Sequence, residues 1–255
     1  MNNINELKQN CINVLQQYNK HDEFTCCVCN IKSNSFISYS ETGRKRLLCR
    51  CGTRERQRGL LFLILFHTDI FNEQNLKILH TSPAFELNLI RLIKNYNPSI
   101  NYITSDIKDT TCDLLLDLVN IPQEKYNTYN YIINIHVLEH IRDKKDVYAV
   151  INNIHNMLKD DGKAIIAVPQ DFRLDVDILE DPTADSNPDH WRKFGCKFID
   201  LLNKFTKVEI IYDTSFDIIN EKFTKNKKVY TDLFLNNIEI TNTYVDGQVF
   251  YICHK

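Results

Sequence analysis

Nine cysteines stand in this 255-residue chain, and five of them gather in two short clusters, "CCVCN" and "LCRCG", about twenty residues apart. Two thiolate pairs on tight turns can close a tetrahedral zinc site and so order a segment too small to fold alone. The expected ligands of a structural Zn2+ are Cys26, Cys29, Cys49 and Cys51. The second pair is C-x-C rather than the commoner C-x2-C, and Cys27, His67 and His80 stand as alternative donors. The remaining cysteines are scattered singly, which favours a metal over a disulfide framework.

A second set of reactive side chains falls at the ends of apolar runs. Strands are expected at Lys77 to Thr81, Asn101 to Asp106, Cys112 to Asp117, Tyr129 to Val137 and Lys163 to Val168. Their carboxyl ends carry His80-Thr81-Ser82, Asp106, Asp117 and His136, and ligands of open parallel sheets bind outside those ends. An acid closing the second strand suits bidentate acceptance from two ribose hydroxyls, and one after the third can accept from an adenine amino group. Asp113 competes with Asp117 for that place, and both strand-end acids are also ordinary turn formers.

Three histidines, His136, His140 and His190, fall near the same ends, and imidazole titrates where a neutral-pH base must. His190 is the favoured base, with Asp189 beside it and Arg192 two residues on to orient the ring or hold an anionic group. The plainer alternatives make His190 a helix-start residue behind an Asp189 cap, and make Glu139 and His140 packing residues of a turn.

These groups need a frame, and the chain alternates strand-like and helix-like segments from Leu76 to Pro169, the pattern of a parallel sheet with right-handed crossovers. The clearest helix runs from Asp143 to Leu158, with Gly162 as its stop signal. Another is expected from about His190 to Phe205, and "KVEIIYD" and "GQVFYICHK" read as closing strands of an antiparallel edge. Residues 1–68 differ in texture, combining a helical start, the cysteine pairs and the apolar helix "RERQRGLLFLILFHT". We therefore expect a small N-terminal zinc-binding module over 1–68 and an α/β domain over 69–255.

Bulk composition narrows the partners. At 43% hydrophobic and 25% charged the chain can bury a full core, and a net charge of −2 excludes bulk electrostatic coating of nucleic acid. Basic character is local: Arg44, Lys45, Arg46, Arg50, Arg54, Arg56 and Arg58 suit an anionic partner such as RNA or a nucleotide-linked sugar, or else pair with acids of the protein. No apolar run of about eighteen residues occurs and the first twenty are polar, so the expectation is a cytoplasmic protein without a membrane partner. The turn after the first strand, "LHTSPAFEL", has no glycine, which argues against a pyrophosphate-bearing dinucleotide such as NAD or FAD.

The segments "YITSD", "LLLDL", "YNYIINIHVLEHI" and "MLKDDGKAIIAVP" together resemble the class I S-adenosylmethionine-dependent methyltransferases. More narrowly, "LHTSPAFEL" and "DHWRKFG" resemble a subgroup with a cysteine-rich N-terminal module and a first motif lacking the usual glycines. The resemblance implies a Rossmann-like, doubly wound, mostly parallel sheet with an antiparallel last strand. It also implies S-adenosyl-L-methionine held along His80, Thr81, Ser82 and Pro83, by Asp106 and Ile107, by Asp117 and Leu118, and beside His136. Such a donor has no phosphate, so the turn must receive only an ammonium and a carboxylate, the latter at a helix N-terminus. The implied reaction is methyl transfer, with a hydroxyl of a sugar, nucleotide-sugar or other small metabolite as the acceptor; the alternatives are an RNA methyltransferase that docks through the basic zinc module and a non-catalytic binding module that keeps the fold. The acids of "EDPTADSNPD" match no magnesium-ligand pattern and read as solvated loop charge.

Overall fold

The computed structural model describes residues 3–17, 24–30, 32–33, 37–39, 44–83, 86–170, 174–180, 190–212 and 249–255. Asp189 and, in the acidic loop before it, residues 171–173 and 181–188 lie outside the described residues. Over the described residues the chain forms two compact units, one holding those within 3–75 and 86–100, the other those within 76–83, 101–212 and 249–255.

The first unit opens with helix α1 (Ile4–Gln17), whose Leu7 and Cys11 are buried one turn apart on a single face. Two short antiparallel pairs follow, β1 (Phe24–Thr25) with β2 (Lys32–Ser33) and β3 (Ile37–Tyr39) with β4 (Arg44–Leu48). Helix α2 (Glu55–His67) buries Leu60, Leu61, Leu63, Ile64 and Leu65, and a helix apolar around so much of its circumference belongs in an interior. Its start is set by Gln57, whose side-chain carbonyl accepts the Arg54 N–H at 2.6 Å, half of a capping box.

The expected boundary at 68/69 differs from the break at Asn75, and helix α3 (Leu87–Tyr96) is part of the first unit. The ties are specific. Asn97 donates to the carbonyls of Ile70 and Glu73 at 2.8 and 2.7 Å, and Tyr96 meets Phe71 edge-on with ring centres 6.1 Å apart.

The second unit is built on a seven-stranded sheet. In chain order its strands are β5 (Lys77–Thr81), β6 (Asn101–Asp106), β7 (Leu114–Leu115), β8 (Tyr129–Ile135), β9 (Leu158–Ala167), β12 (Lys207–Tyr212) and β13 (Val249–His254). A separate antiparallel pair, β10 (Ile178–Glu180) and β11 (Arg192–Phe194), falls between β9 and β12. The sheet order is β12-β13-β9-β8-β5-β6-β7, parallel from β7 to β9, with β13 antiparallel to both of its neighbours. From β5 the chain winds outward through β6 and β7, then returns to the other side of β5 for β8 and β9. The Rossmann-like, doubly wound sheet with an antiparallel last strand is thus observed, and its switch point lies between β5 and β8.

Helix α4 (Lys144–Met157) turns Val147, Val150, Ile151 and Ile154 into the core, at spacings of three, one and three residues. They join a cluster with Leu79, Ile132, Ala164 and Ile166 of the sheet and with Phe194, Phe198 and Tyr251. Gly162 does not end this helix: it lies within β9. The last carbonyls of α4, on Asn156 and Met157, accept instead from the N–H groups of Asn127 and Thr128 at 2.9 and 2.8 Å.

Two further expectations change. The third strand shrinks to Leu114–Leu115, because Asp113 and Asp117 spend their carboxylates on other backbone groups. The helix expected over 190–205 is instead strand β11 followed by a 3-10 helix at Cys196–Leu202. Pairing with β10 draws residues 192–194 into extended backbone, and Gly195 makes the corner. A Cβ there would stand 2.2 Å from the Val176 carbonyl oxygen and 2.4 Å from that of Leu174, so only glycine fits.

Candidate active site and cysteine cluster

The carboxyl ends of β5 and β8 share an unusual backbone. Ser82, just past β5, has φ 46°, and His136, just past β8, has φ 54°. For residues other than glycine this left-handed region costs on the order of 1–3 kcal/mol, and such strain gathers where side chains must be aimed. Each is held there by continuing the ladder: the Ser82 N–H donates to the Ser105 carbonyl at 2.6 Å and that of His136 to the Ala167 carbonyl at 2.9 Å. The strained pair therefore flanks the switch point of the sheet.

Asp106 ends β6 as expected. Its Oδ2 accepts from Ser82 Oγ at 2.6 Å and its Oδ1 accepts from the N–H groups of Lys108 and Asp109 at 2.9 and 3.0 Å. Partial burial works against its charge, but these three donors and the Lys108 ammonium outweigh it and hold the carboxyl below the ordinary range. A carboxylate has about four lone-pair positions, so bidentate acceptance from a diol requires Ser82 to yield its place. Ile107 beside it is 65% exposed and Leu115 is 55% exposed, an apolar rim next to the acid.

The competition among the acids of β7 is resolved by hydrogen bonding. Asp113 accepts from both the N–H and the hydroxyl of Thr104, at 2.8 and 2.7 Å, which ties β7 to β6. Asp117 accepts from the Val119 N–H at 2.9 Å and from Asn120 Nδ2 at 2.7 Å, shaping the turn that carries the partly buried Leu118. His80 is 1% exposed and its Nδ1 meets the Tyr102 hydroxyl at 2.8 Å, so it lies in the sheet interior. Thr81 is also interior, donating to the Ile133 carbonyl and accepting from Asn134 Nδ2. Pro83 is buried. The Oδ1 of the fully buried Asn134 has no partner among the described residues.

Beyond β8, a 3-10 turn at Leu138–His140 buries Glu139 completely. Glu139 Oε1 stands 3.0 Å from His136 Nδ1. A carboxylate only accepts, so Nδ1 carries the proton and Nε2 is the basic nitrogen of the neutral ring. No sequence pattern foretold that Glu139 would orient His136, although the i,i+3 spacing in "HVLEH" was its trace. His190 reaches the same turn, its ring centre 4.9 Å from that of His140. Trp191 N–H donates to the Glu139 carbonyl at 3.0 Å, and the Arg192 guanidinium donates to the Ile141 carbonyl. Arg192, 1% exposed, thus pins this segment rather than reaching outward for an anionic group.

In the first unit the cysteines converge. The sulfurs of Cys26 and Cys51 are 3.9 Å apart, those of Cys29 and Cys49 are 3.7 Å apart, and all four lie within 4.8 Å of one another. Four sulfurs about 2.3 Å from one zinc stand about 3.8 Å apart, so the donor set fits that ion. Each pair sits on a turn closed by a left-handed residue: Asn30 (φ 56°) donates to the Cys26 carbonyl, and Gly52 (φ 84°) to that of Cys49. Burial and the neighbouring Cys27 push the Cys26 thiol up, whereas hydrogen bonds from Thr53 draw Cys51 down against its own desolvation.

The alternative donors lie elsewhere. Cys27 hydrogen-bonds with Cys11, and His67 stands at the far end of α2, about 18 Å along the helix from its start. Arg58 is 2% exposed and donates to the Thr53 carbonyl at 3.0 Å, which commits one member of the basic cluster to the fold.

Comparison with known proteins agrees with this architecture. A family profile described as "Methyltransferase domain" matches residues 56–209, more than half of the chain. No curated protein matches. Among solved structures, a SAM-dependent methyltransferase from Archaeoglobus fulgidus is similar at 12% identity and a TM-score of 0.50, over 78% of this chain and 94% of that one. An O-methyltransferase from a trans-AT PKS multienzyme of Brevibacillus brevis, in complex with S-adenosyl-L-homocysteine, is 17% identical at a TM-score of 0.47, over 78% and 71%. The N-methyltransferase NodS from Bradyrhizobium japonicum is 12% identical at a TM-score of 0.45, over 78% and 85%.

Proposed function

The chain belongs to the methyltransferase-domain family, and from that premise we propose that it transfers the methyl group of S-adenosylmethionine to a hydroxyl of a small metabolite, such as a sugar or nucleotide-sugar. The observation that carries the reading is the Ser82–Asp106 pair at the ends of β5 and β6, next to the exposed Ile107. Asp106 accepts from the ribose, and Ile107 with Leu118 offers apolar surface to the adenine. Asp117 shapes the adenine-side turn. His80, Thr81 and Pro83 form the wall behind Ser82.

Methyl transfer is an in-line displacement, and the protein acts chiefly by holding both reactants in near-attack geometry. For a hydroxyl acceptor a base must take the proton as the new bond forms. In this reading His136 Nε2 is that base, because Glu139 supplies the orienting carboxylate on the other side of the ring. His190, with Asp189 next to it in sequence, contributes from the acceptor side. The cysteine cluster holds a structural zinc that stabilises the first unit. No helix among the described residues is long and apolar enough to cross a membrane.

Calorimetric titration of the protein with S-adenosylhomocysteine tests the reading directly. Micromolar or tighter binding is expected, and no detectable binding in the zinc-loaded, folded protein overturns it.

A further inference from the structure

A second group of metal-ligating side chains stands apart from the cysteines. Glu139, His140 and His190 each present one donor atom within 4.8 Å of the others. Two come from the 3-10 turn after β8, and the third arrives fifty residues later, fastened to that turn by the Trp191 N–H and the Arg192 guanidinium. The meeting is therefore built by tertiary contacts rather than by proximity in sequence.

Glu139 supplies the independent observation. It is fully buried, and while Oε1 is occupied by His136, Oε2 is a buried oxygen with no hydrogen-bond partner among the described residues. A carboxylate oxygen removed from water without a partner is costly, and the usual remedy is a proton or a cation. Two imidazoles offer nitrogens within 4.8 Å of this carboxylate.

We propose that Glu139, His140 and His190 bind one divalent transition-metal ion at the rim of the sheet, and that this ion receives the acceptor hydroxyl. Two nitrogens and one carboxylate oxygen are a donor set for Mn2+, Fe2+, Co2+, Ni2+ or Zn2+, whereas Ca2+ and Mg2+ favour oxygen ligands alone. Ligands about 2.1 Å from one ion stand at most about 4.2 Å apart, so small side-chain rotations close the set. His140 is exposed and His190 half-exposed, so solvent reaches two of the three ligands. The His136 contact orients the ligating carboxylate, as partners of metal ligands commonly do.

The chemical part of this inference rests on the methyl-transfer reading; the binding part does not. An acceptor hydroxyl on the ion loses its proton more readily because the metal stabilises the alkoxide. That proton is released to solvent, which reaches His140 and His190. An oxygen electron pair then forms the new O–C bond while the C–S bond breaks, and its electrons return to sulfur, leaving a neutral thioether.

The test is titration of the full chain, carrying one zinc per molecule and dialysed free of excess zinc, with MnCl2, followed by electron paramagnetic resonance, since Mn2+ is a poor match for thiolates. One bound Mn2+ per chain is expected, weakened at least about tenfold in both His190→Ala and Glu139→Gln. Circular dichroism checks each variant, and where Glu139→Gln fails to fold, His190→Ala decides. No bound Mn2+, or binding unchanged in a folded His190→Ala, overturns the site. Binding of S-adenosylhomocysteine without Mn2+ overturns this inference alone; Mn2+ binding without S-adenosylhomocysteine overturns the methyl-transfer reading and leaves the metal site standing.

Discussion

The Ser82 hydroxyl donates to Asp106 Oδ2 at 2.6 Å, joining the carboxyl ends of two neighbouring parallel strands. This bond does two things. It fixes the side chain of Ser82, whose backbone is left-handed, and it helps hold the carboxylate that ends β6 ionised and fixed in direction. An acceptor so prepared loses little freedom when a ribose hydroxyl arrives.

Replacing Asp106 with alanine removes hydrogen bonds to a charged acceptor, which are typically worth about 1.5–3 kcal/mol. Affinity for S-adenosylhomocysteine should fall at least about tenfold by calorimetry. Ser82→Ala should raise the Asp106 pKa, because it deletes a donor to the ionised form; NMR titration of the carboxyl carbon reads this. Unchanged affinity in Asp106→Ala removes the ribose assignment.

Acid sensitivity follows from two depressed carboxyls. Asp106 is lowered as described, and Asp177, despite its own desolvation, is lowered by the Tyr148 hydroxyl at 2.8 Å, the Ile178 N–H and the Lys144 ammonium at 3.1 Å. A carboxyl whose folded pKa lies below its unfolded value of about 3.9 contributes stability that is present above that value. The contribution is lost as pH falls through the folded pKa. Thermal midpoints measured from pH 6 to pH 2 should therefore drop most steeply below about pH 4, and Asp177→Asn should flatten part of that drop.

Gly195→Ala should destabilise the second unit by at least about 1–3 kcal/mol, because its methyl group meets two backbone carbonyls that no rotamer can move. Urea unfolding checks this. A neutral result would mean that the corner between β11 and the 3-10 helix is looser than its contacts imply.

For the cysteine cluster, one zinc per chain is expected by metal analysis. Cys49→Ser should release it and lower the thermal midpoint, whereas Cys27→Ser, whose thiol faces Cys11, should retain it. Equal zinc loss in both would assign Cys27 to the ligand set.

Local pattern was enough for much of this molecule. Strands β5 and β6 occupy the residues that their apolar runs mark out, and α4 lies within one residue of its periodic stretch at each end. The four zinc-ligand candidates are those named from spacing, because the turns that aim them are closed within each short cluster by Asn30 and Gly52. Alternation, helical period and turn chemistry all act over a few neighbours, so a linear reading captures them.

What sequence distance hides is who answers whom. Asp113 and Asp117 look interchangeable in "CDLLLD" until Thr104, nine residues before Asp113, claims the first. Residues 190–194 have the composition of a helix start, yet β10 offers a ladder that outweighs that preference, and His190 is carried to Glu139 as a result. Hydrogen bonds and metal ligands are satisfied by whatever the folded chain brings near, and that depends on strand order and crossover path, which no short window of residues contains.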